Sequence, residues 1–333
     1  MKKCYFSLLA MFLLMVASAQ SSDDVIKTAR EFSMQGDNEN AILVLKKGLE
    51  QYPNNTDIRI DLAMVYYTAR RNPQALEAIR PMLESDKPDE MIYQIAALIY
   101  RSELQNKEAE KLYKAGLKNH PNSGMLYNDY GQFLESDQPG KGMGLKMWEK
   151  GIELSPTYAG NYYQASRYHA AINNTIWALL YGEIFVNLDS YSSRSVEIRN
   201  LLFQYYKKAF AFGLSGVNEK NEFEKNVAEN FKSQKPMASA GIGPESLSAI
   251  RTRFILDWYS KPASTKFPFR LFERHQQMLR EGLFDAYNQW LFGGAANLAT
   301  FQNWTKTHAE EYQAFNKFQR QQLFVMGTNQ HYK

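Results

Sequence analysis

The five histidines, at 120, 169, 275, 308 and 331, stand alone in the sequence, and no His-Glu-x-x-His pair joins any two of them. A zinc site of that kind needs two imidazoles one helical turn apart, so local metal chemistry finds no support. His308 and Glu311 lie one turn apart, and such a pair is first of all a surface or core contact. Gly241-Ile242-Gly243-Pro244-Glu245-Ser246 has two glycines of a phosphate loop, but no third glycine, no lysine and no strand before it. There is no Gly-x-Ser-x-Gly elbow. Asn54-Asn55-Thr56, Asn173-Asn174-Thr175 and Asn303-Trp304-Thr305 fit the glycosylation triplet, which is frequent by chance. Catalytic groups can still converge from distant positions. The local motifs nevertheless predict no catalytic residues, no metal ligands, no cofactor and no enzymatic activity.

The N-terminus carries an address. Met1 to Gln20 has Lys2 and Lys3, an apolar run from Phe6 to Val16, and the small-residue site Ala17-Ser18-Ala19. This is the pattern of a secretory signal peptide cleaved after Ala19, because the run is shorter than the roughly 20 residues of a membrane span. The one cysteine, Cys4, precedes the apolar run, so neither a lipoprotein cut nor a thiol in the mature chain is expected. No later segment is apolar enough to span a bilayer. The sequence therefore predicts an exported, soluble protein of the periplasm or cell envelope. The net charge of +4 falls to +2 without Lys2 and Lys3, and basic residues are interspersed with acidic ones, which argues against nucleic acid as a partner. With 333 residues and 44% hydrophobic content the chain is globular, in one large or two ordinary domains.

A period of 34 organises the first half. Ala29, Ala63, Ala97, Gly131 and Ala165 follow one another at that spacing, each with a bulky residue three places on: Phe32, Tyr66, Tyr100, Leu134 and Tyr168. A second small set, Ala41, Ala75, Ala109, Gly144 and Ala178, slips by one residue only in the loop around Pro139. Pro53, Pro88, Pro121 and Pro156 close the first four units. Each unit reads as two short amphipathic helices meeting at their small residues. Such a hairpin cannot bury its face alone, and stacking identical hairpins can. An irregular bundle has no reason to keep this interval.

The order of small, aromatic and proline positions resembles the tetratricopeptide repeat family, most closely at Tyr93, Ala96, Ala97, Tyr100, Ala109, Tyr113, Gly116 and Pro121. Ile79 and Met82, and later Gly182 and Phe185, depart from it. The resemblance covers about Asp23 to Asp189 and implies a superhelical stack whose first helices form a concave wall that binds extended peptides or partner helices. Carried over position by position, that wall takes Arg30 and Met34, then Met64 and Tyr67. It continues through Gln94, Leu98 and Arg101, then Asn128, Gln132 and Glu135, and ends on Tyr162 and His169. Amides suit a peptide backbone, the arginines a carboxylate, and Tyr67 and Tyr162 stand out as contacts.

Beyond Tyr191 the period fails. Helices are predicted over Ser192 to Phe212 and Glu219 to Phe231, as a degenerate capping hairpin, and a turn-rich linker or loop follows. Three more helices are predicted, carrying Leu247 to Trp258, Leu271 to Leu291 and Phe301 to Phe318, with Gly293-Gly294 as a break. Pro262 to Phe269 reads as a loop whose phenylalanines either dock a partner or fold back. Trp290 and Phe292 read as core or as a sugar platform. The expected division is 1–19 signal peptide, 20–190 repeats, 191–231 capping hairpin, 232–246 linker, and 247–333 helical region. The fold class is all-α, a helical-hairpin solenoid followed by an aromatic-rich region. The expected function is a scaffold or assembly factor of the bacterial envelope that binds a protein or peptide. The alternative is an enzyme or glycan-binding module in the C-terminal region.

Overall fold

The computed structural model describes residues 21–239 and 241–333, so the signal-peptide segment lies outside the described residues. Two compact units divide after Asn119. The first holds three hairpins: α1 (Ser22–Met34) with α2 (Asn38–Gln51), α3 (Thr56–Thr68) with α4 (Asn72–Leu83), and α5 (Glu90–Ser102) with α6 (Asn106–Asn119). Ser21, Asn55 and Asp89 start the first helices by accepting a backbone N–H on their side-chain oxygens. The turn inside each hairpin passes through a left-handed residue, and these too recur every 34 positions, at Gly36, Arg70 and Leu104, with φ of 81°, 59° and 59°. Ala29, Ala41, Ala63, Ala75, Ala97 and Ala109 are fully buried, as the period requires. The core they frame is aliphatic, built on Leu45, Ile58, Leu62, Ile79, Ile95 and Ile99.

The second unit, His120–Lys333, opens with two more hairpins, α7 (Gly124–Asp137) with α8 (Met143–Leu154) and α9 (Ala159–Ala171) with α10 (Thr175–Leu188). In α7 and α8 the small positions must be glycine. A methyl on Gly131 would stand 2.3 Å from Trp148 Nε1, and one on Gly144 would stand 2.6 Å from the Gly131 carbonyl oxygen. Ala165 and Ala178 are fully buried. The repeat register therefore holds through all five hairpins.

After the hairpins the structure departs from the sequence reading. α11 (Ser193–Phe212) packs on α10, whereas α12 (Glu222–Lys232) lies against α10 and α13 (Pro244–Tyr259). α11 and α12 do not pair as a capping hairpin, and they touch where Phe231 stacks on Tyr206 and Phe210. The expected linker is pinned at its start, because Gln234 is buried and its amide donates to Asn230 O, Ser233 Oγ and Asp257 Oδ2. Lys235–Ala238 then forms a 3-10 turn.

The three remaining helices become more. α14 (Ala263–Lys266), α15 (Arg270–Arg280) and α16 (Phe284–Asn288) run into a π-helical turn, Gln289–Gly293, followed by α17 (Gly294–Ala296), α18 (Leu298–Thr307) and α19 (Ala309–Gln321). Gly282, at φ 70°, splits one predicted helix, and His308, at φ −118°, splits another. Gly293 and Gly294 keep helical angles, and the break falls instead at Asn297, φ −161°. Phe269 is buried and Phe267 half-buried, so that loop folds back onto the core.

One aromatic core runs from Trp148 and Ile152 through Trp177, Phe185 and Trp258 to Phe272, Tyr287, Phe315 and Met326. The fourth and fifth hairpins thus share their interior with everything after them, and the compact boundary falls at 119 and not at 190. All five tryptophans lie in this unit, and Trp148, Trp177, Trp258 and Trp290 are buried. No described helix is long and apolar enough to cross a membrane.

Candidate partner-binding face

In the first unit α1 lies beside α3 and α3 beside α5. Residues 34 apart therefore form rows across successive first helices: Arg30, Met64 and Leu98 in one, Tyr67 and Arg101 in the next. Arg30 is exposed, and its guanidinium binds Asp61 of the next first helix with both arms, Nε to Oδ2 at 2.8 Å and Nη2 to Oδ1 at 3.1 Å. The Asp61 carboxylate holds the Arg30 guanidinium above its ordinary range. Arg30 thus staples two repeats. Met34 is 87% exposed, and Met64 and Tyr67 rest half-buried on the aliphatic core. Gln94, Leu98 and Arg101 are also half-buried, with Arg101 Nη1 3.4 Å from the Tyr113 hydroxyl. This face offers an amide, a guanidinium, a ring and thioethers to solvent, a set suited to an extended polypeptide.

The rows do not stay open in the second unit. Gln132 is half-buried and donates to Asn128 Oδ1 at 2.6 Å, while Glu135 Oε1 accepts the Gly140 N–H. Asn128 is buried, and its carbonyl accepts the Trp148 indole N–H at 3.1 Å. Tyr162 and His169, at 1% exposure each, are not surface contacts. Tyr162 meets Tyr181 edge-on at 5.8 Å, and burial pushes its phenol up. His169 Nε2 stands 3.2 Å from Glu149 Oε1 and 3.0 Å from Lys333 Nζ. The physical reason is long-range packing: the last residues of the chain lie over these positions.

Sequence reasoning missed a buried charge cluster. Glu183 Oε1 on α10 accepts from the Tyr287 hydroxyl at 2.7 Å and from the guanidinium of Arg251, and lies 2.7 Å from His275 Nε2. Arg251 also donates to Asn288 Oδ1, and Asn187 donates to the Tyr287 oxygen at 2.8 Å. A cavity of about 40 Å³, walled by Leu179, Phe231, Phe254 and Phe272, adjoins the cluster. The signal was present: Glu183 is the one charged residue of helix Thr175–Leu188, and a carboxylate buried there demands a cation.

Burial works to raise the Glu183 carboxyl, but Arg251 and His275 beside it outweigh that and bring it down to about 2 from 4.5. Burial holds His275, His169 and His331 below their ordinary value. All four groups bind fewer protons folded than unfolded, so stability rises with pH. The melting temperature, followed by circular dichroism, is expected to be highest above pH 7. It should fall as pH drops through 6.5, where unfolded imidazoles protonate, and fall again from 4.5 toward 2 as Glu183 titrates. A constant melting temperature between pH 7.5 and 5 would contradict the neutral histidines.

An open cleft of about 630 Å³ lies elsewhere in the second unit, lined among others by Glu245, Asp285, Gln289, Trp304, His308 and Glu311. The Trp304 and His308 rings stack at 4.6 Å with 7° between their planes, and Gln289 donates to Glu245 Oε1 at 2.7 Å. His308 and Glu311 line it together. Trp290 and Phe292, the platform suggested by the sequence, are buried and unavailable.

A family model described as Tetratricopeptide repeat matches residues 33–99. No curated protein matches the chain. Among solved structures, that of TTC0263, a thermophilic TPR protein of Thermus thermophilus, is similar with a TM-score of 0.44 and 11% identity, over 56% of this chain and 99% of that one. YrrB, a TPR protein with an unusual peptide-binding site, gives a TM-score of 0.34 and 16% identity, over 54% of this chain and 91% of that one.

Proposed function

We propose, from the tetratricopeptide-repeat match over residues 33–99 and the hairpin stack that continues its period, that the chain is a non-enzymatic scaffold or assembly factor of the bacterial cell envelope, holding a protein or peptide on the first helices of its first unit. One observation carries the reading: Met64, Tyr67, Gln94 and Arg101 all reach solvent from consecutive first helices while their backbones stay packed. An extended segment laid across them finds the Gln94 amide for its backbone and the Arg101 cation for a carboxylate. The signal-peptide pattern of residues 1–19 supports export to the envelope.

The cleft at Trp304 favours a second reading, a glycan-binding module in the C-terminal region. A ring face stacks on the apolar side of a sugar while carboxylates and amides take its hydroxyls. One experiment separates the two. Chain from residue 20 onward serves as bait in envelope extract, with Tyr67→Ala plus Arg101→Ala in one variant and Trp304→Ala in another. The scaffold reading expects the double variant to lose ten-fold or more of the captured protein at unchanged helix content. Undiminished capture, together with retention on immobilised glycan that depends on Trp304, would favour the module instead.

A further inference from the structure

The fifth hairpin's inward positions Tyr162 and His169 are covered by a later stretch of the same chain, extended up to Gly327 and then turned at Asn329 (φ 63°), and its contacts are those of a bound peptide. Leu323 and Val325 are exposed while Phe324 and Met326 are buried, the two-residue alternation of an extended strand on a surface. His331 stacks on Tyr181 with 7° between the planes, its Nε2 3.0 Å from the tyrosine hydroxyl. The Tyr332 ring sits against Phe223, Phe267 and Phe269. Its hydroxyl donates to Pro268 O at 2.6 Å, and its carbonyl accepts from Asn221 Nδ2 at 2.6 Å. Lys333 Nζ pairs with Glu149 and stands 3.0 Å from His169. Met326 and His331 close a small cavity with Tyr162 and Tyr181. Apolar pockets take alternate side chains, an aromatic cage takes a ring, and a carboxylate takes the cation.

We propose that this face is a peptide-binding site filled by the chain's own residues 324–333, and that its competing ligand is a segment of the same chemistry: alternating apolar side chains, then a turn, then an aromatic residue and a cation. The proposal rests on reading the first helices as a peptide-holding face. A tethered occupant acts at millimolar effective concentration, so an outside segment gains access when the resident one is displaced.

The probe is the free peptide of residues 322–333, titrated calorimetrically into the chain from residue 20 onward and into two variants of it. Lys333→Glu sets like charges against Glu149 without touching the aromatic cage, and Tyr332→Ala empties the cage. The intact chain is expected to leave the peptide unbound, and each variant to bind it at least ten-fold more tightly. Adding Glu149→Lys to Lys333→Glu restores the pair in reversed sense and should close the site again. If both variants keep their helix content and bind the peptide no better than the intact chain, the self-filled site is overturned. Capture through Tyr67 and Arg101 is read separately, so its loss or survival in the bait experiment identifies which of the two proposals has failed.

Discussion

Replacing Glu183 by alanine should lower the stability of the second unit by about 3–5 kcal/mol, the usual cost of stranding one partner of a buried ion pair. Arg251 is 4% exposed and keeps only neutral neighbours, Asn288 Oδ1 and His275 Nε2, the latter 3.2 Å from its Nη2, while His275 and Tyr287 lose the oxygen they share. A water in the adjoining cavity of about 40 Å³ could solvate the stranded groups but brings no negative charge to Arg251. The comparison that makes the result specific is Glu183→Met combined with Arg251→Met. Removing both charges leaves an apolar interior and is expected to cost less than removing one. Urea unfolding followed by circular dichroism measures both. A double variant as unstable as the single one would mean that shape, and not the uncompensated guanidinium, sets the loss.

Ala97→Leu is expected to destabilise the first unit by about 3 kcal/mol, at the upper end of overpacking costs. Ala97 is wholly buried on α5, where the hairpin presents fully buried Ala109 from α6. Three added carbons have nowhere to go unless the helices part, and parting them uncovers Ile95 and Ile99. For a unit of this size the melting temperature should drop by on the order of 10 °C. Ala115→Leu, on the exposed side of α6, is the matched control and should change stability by no more than about 0.5 kcal/mol. Equal melting temperatures for the two variants would show that the 34-residue register does not mark close helix contacts.

The repeats were legible because a close helix contact tolerates one kind of residue, and five hairpins impose it at a fixed interval. Ala63, Ala97 and Ala165 are all wholly buried where the period puts them. The exposure of part of the candidate face was legible for the same reason: Met64, Tyr67, Gln94 and Arg101 stay half-buried at the register positions of the first helices. Tyr162 and His169 were not, since a position on a helix says where a side chain points and nothing about what lies in front of it. Lys333, which meets His169, is 164 residues away along the chain. The elements after α12 were harder still. Aromatic spacing runs smoothly across Gly282 and His308, yet backbone angles interrupt the helices at both. Glu183 carried a signal that periodicity alone passes over, a lone charge in an apolar helix.

The placement of the tryptophans has an optical consequence. With none before Trp148 and four of five indoles buried in the aromatic core, intrinsic indole emission belongs wholly to the second unit. The first three hairpins contribute no indole to that spectrum. Any red shift on denaturation therefore dates the opening of the aromatic core, and comparing it with the loss of helical ellipticity yields the order in which the two units come apart, with no dye attached.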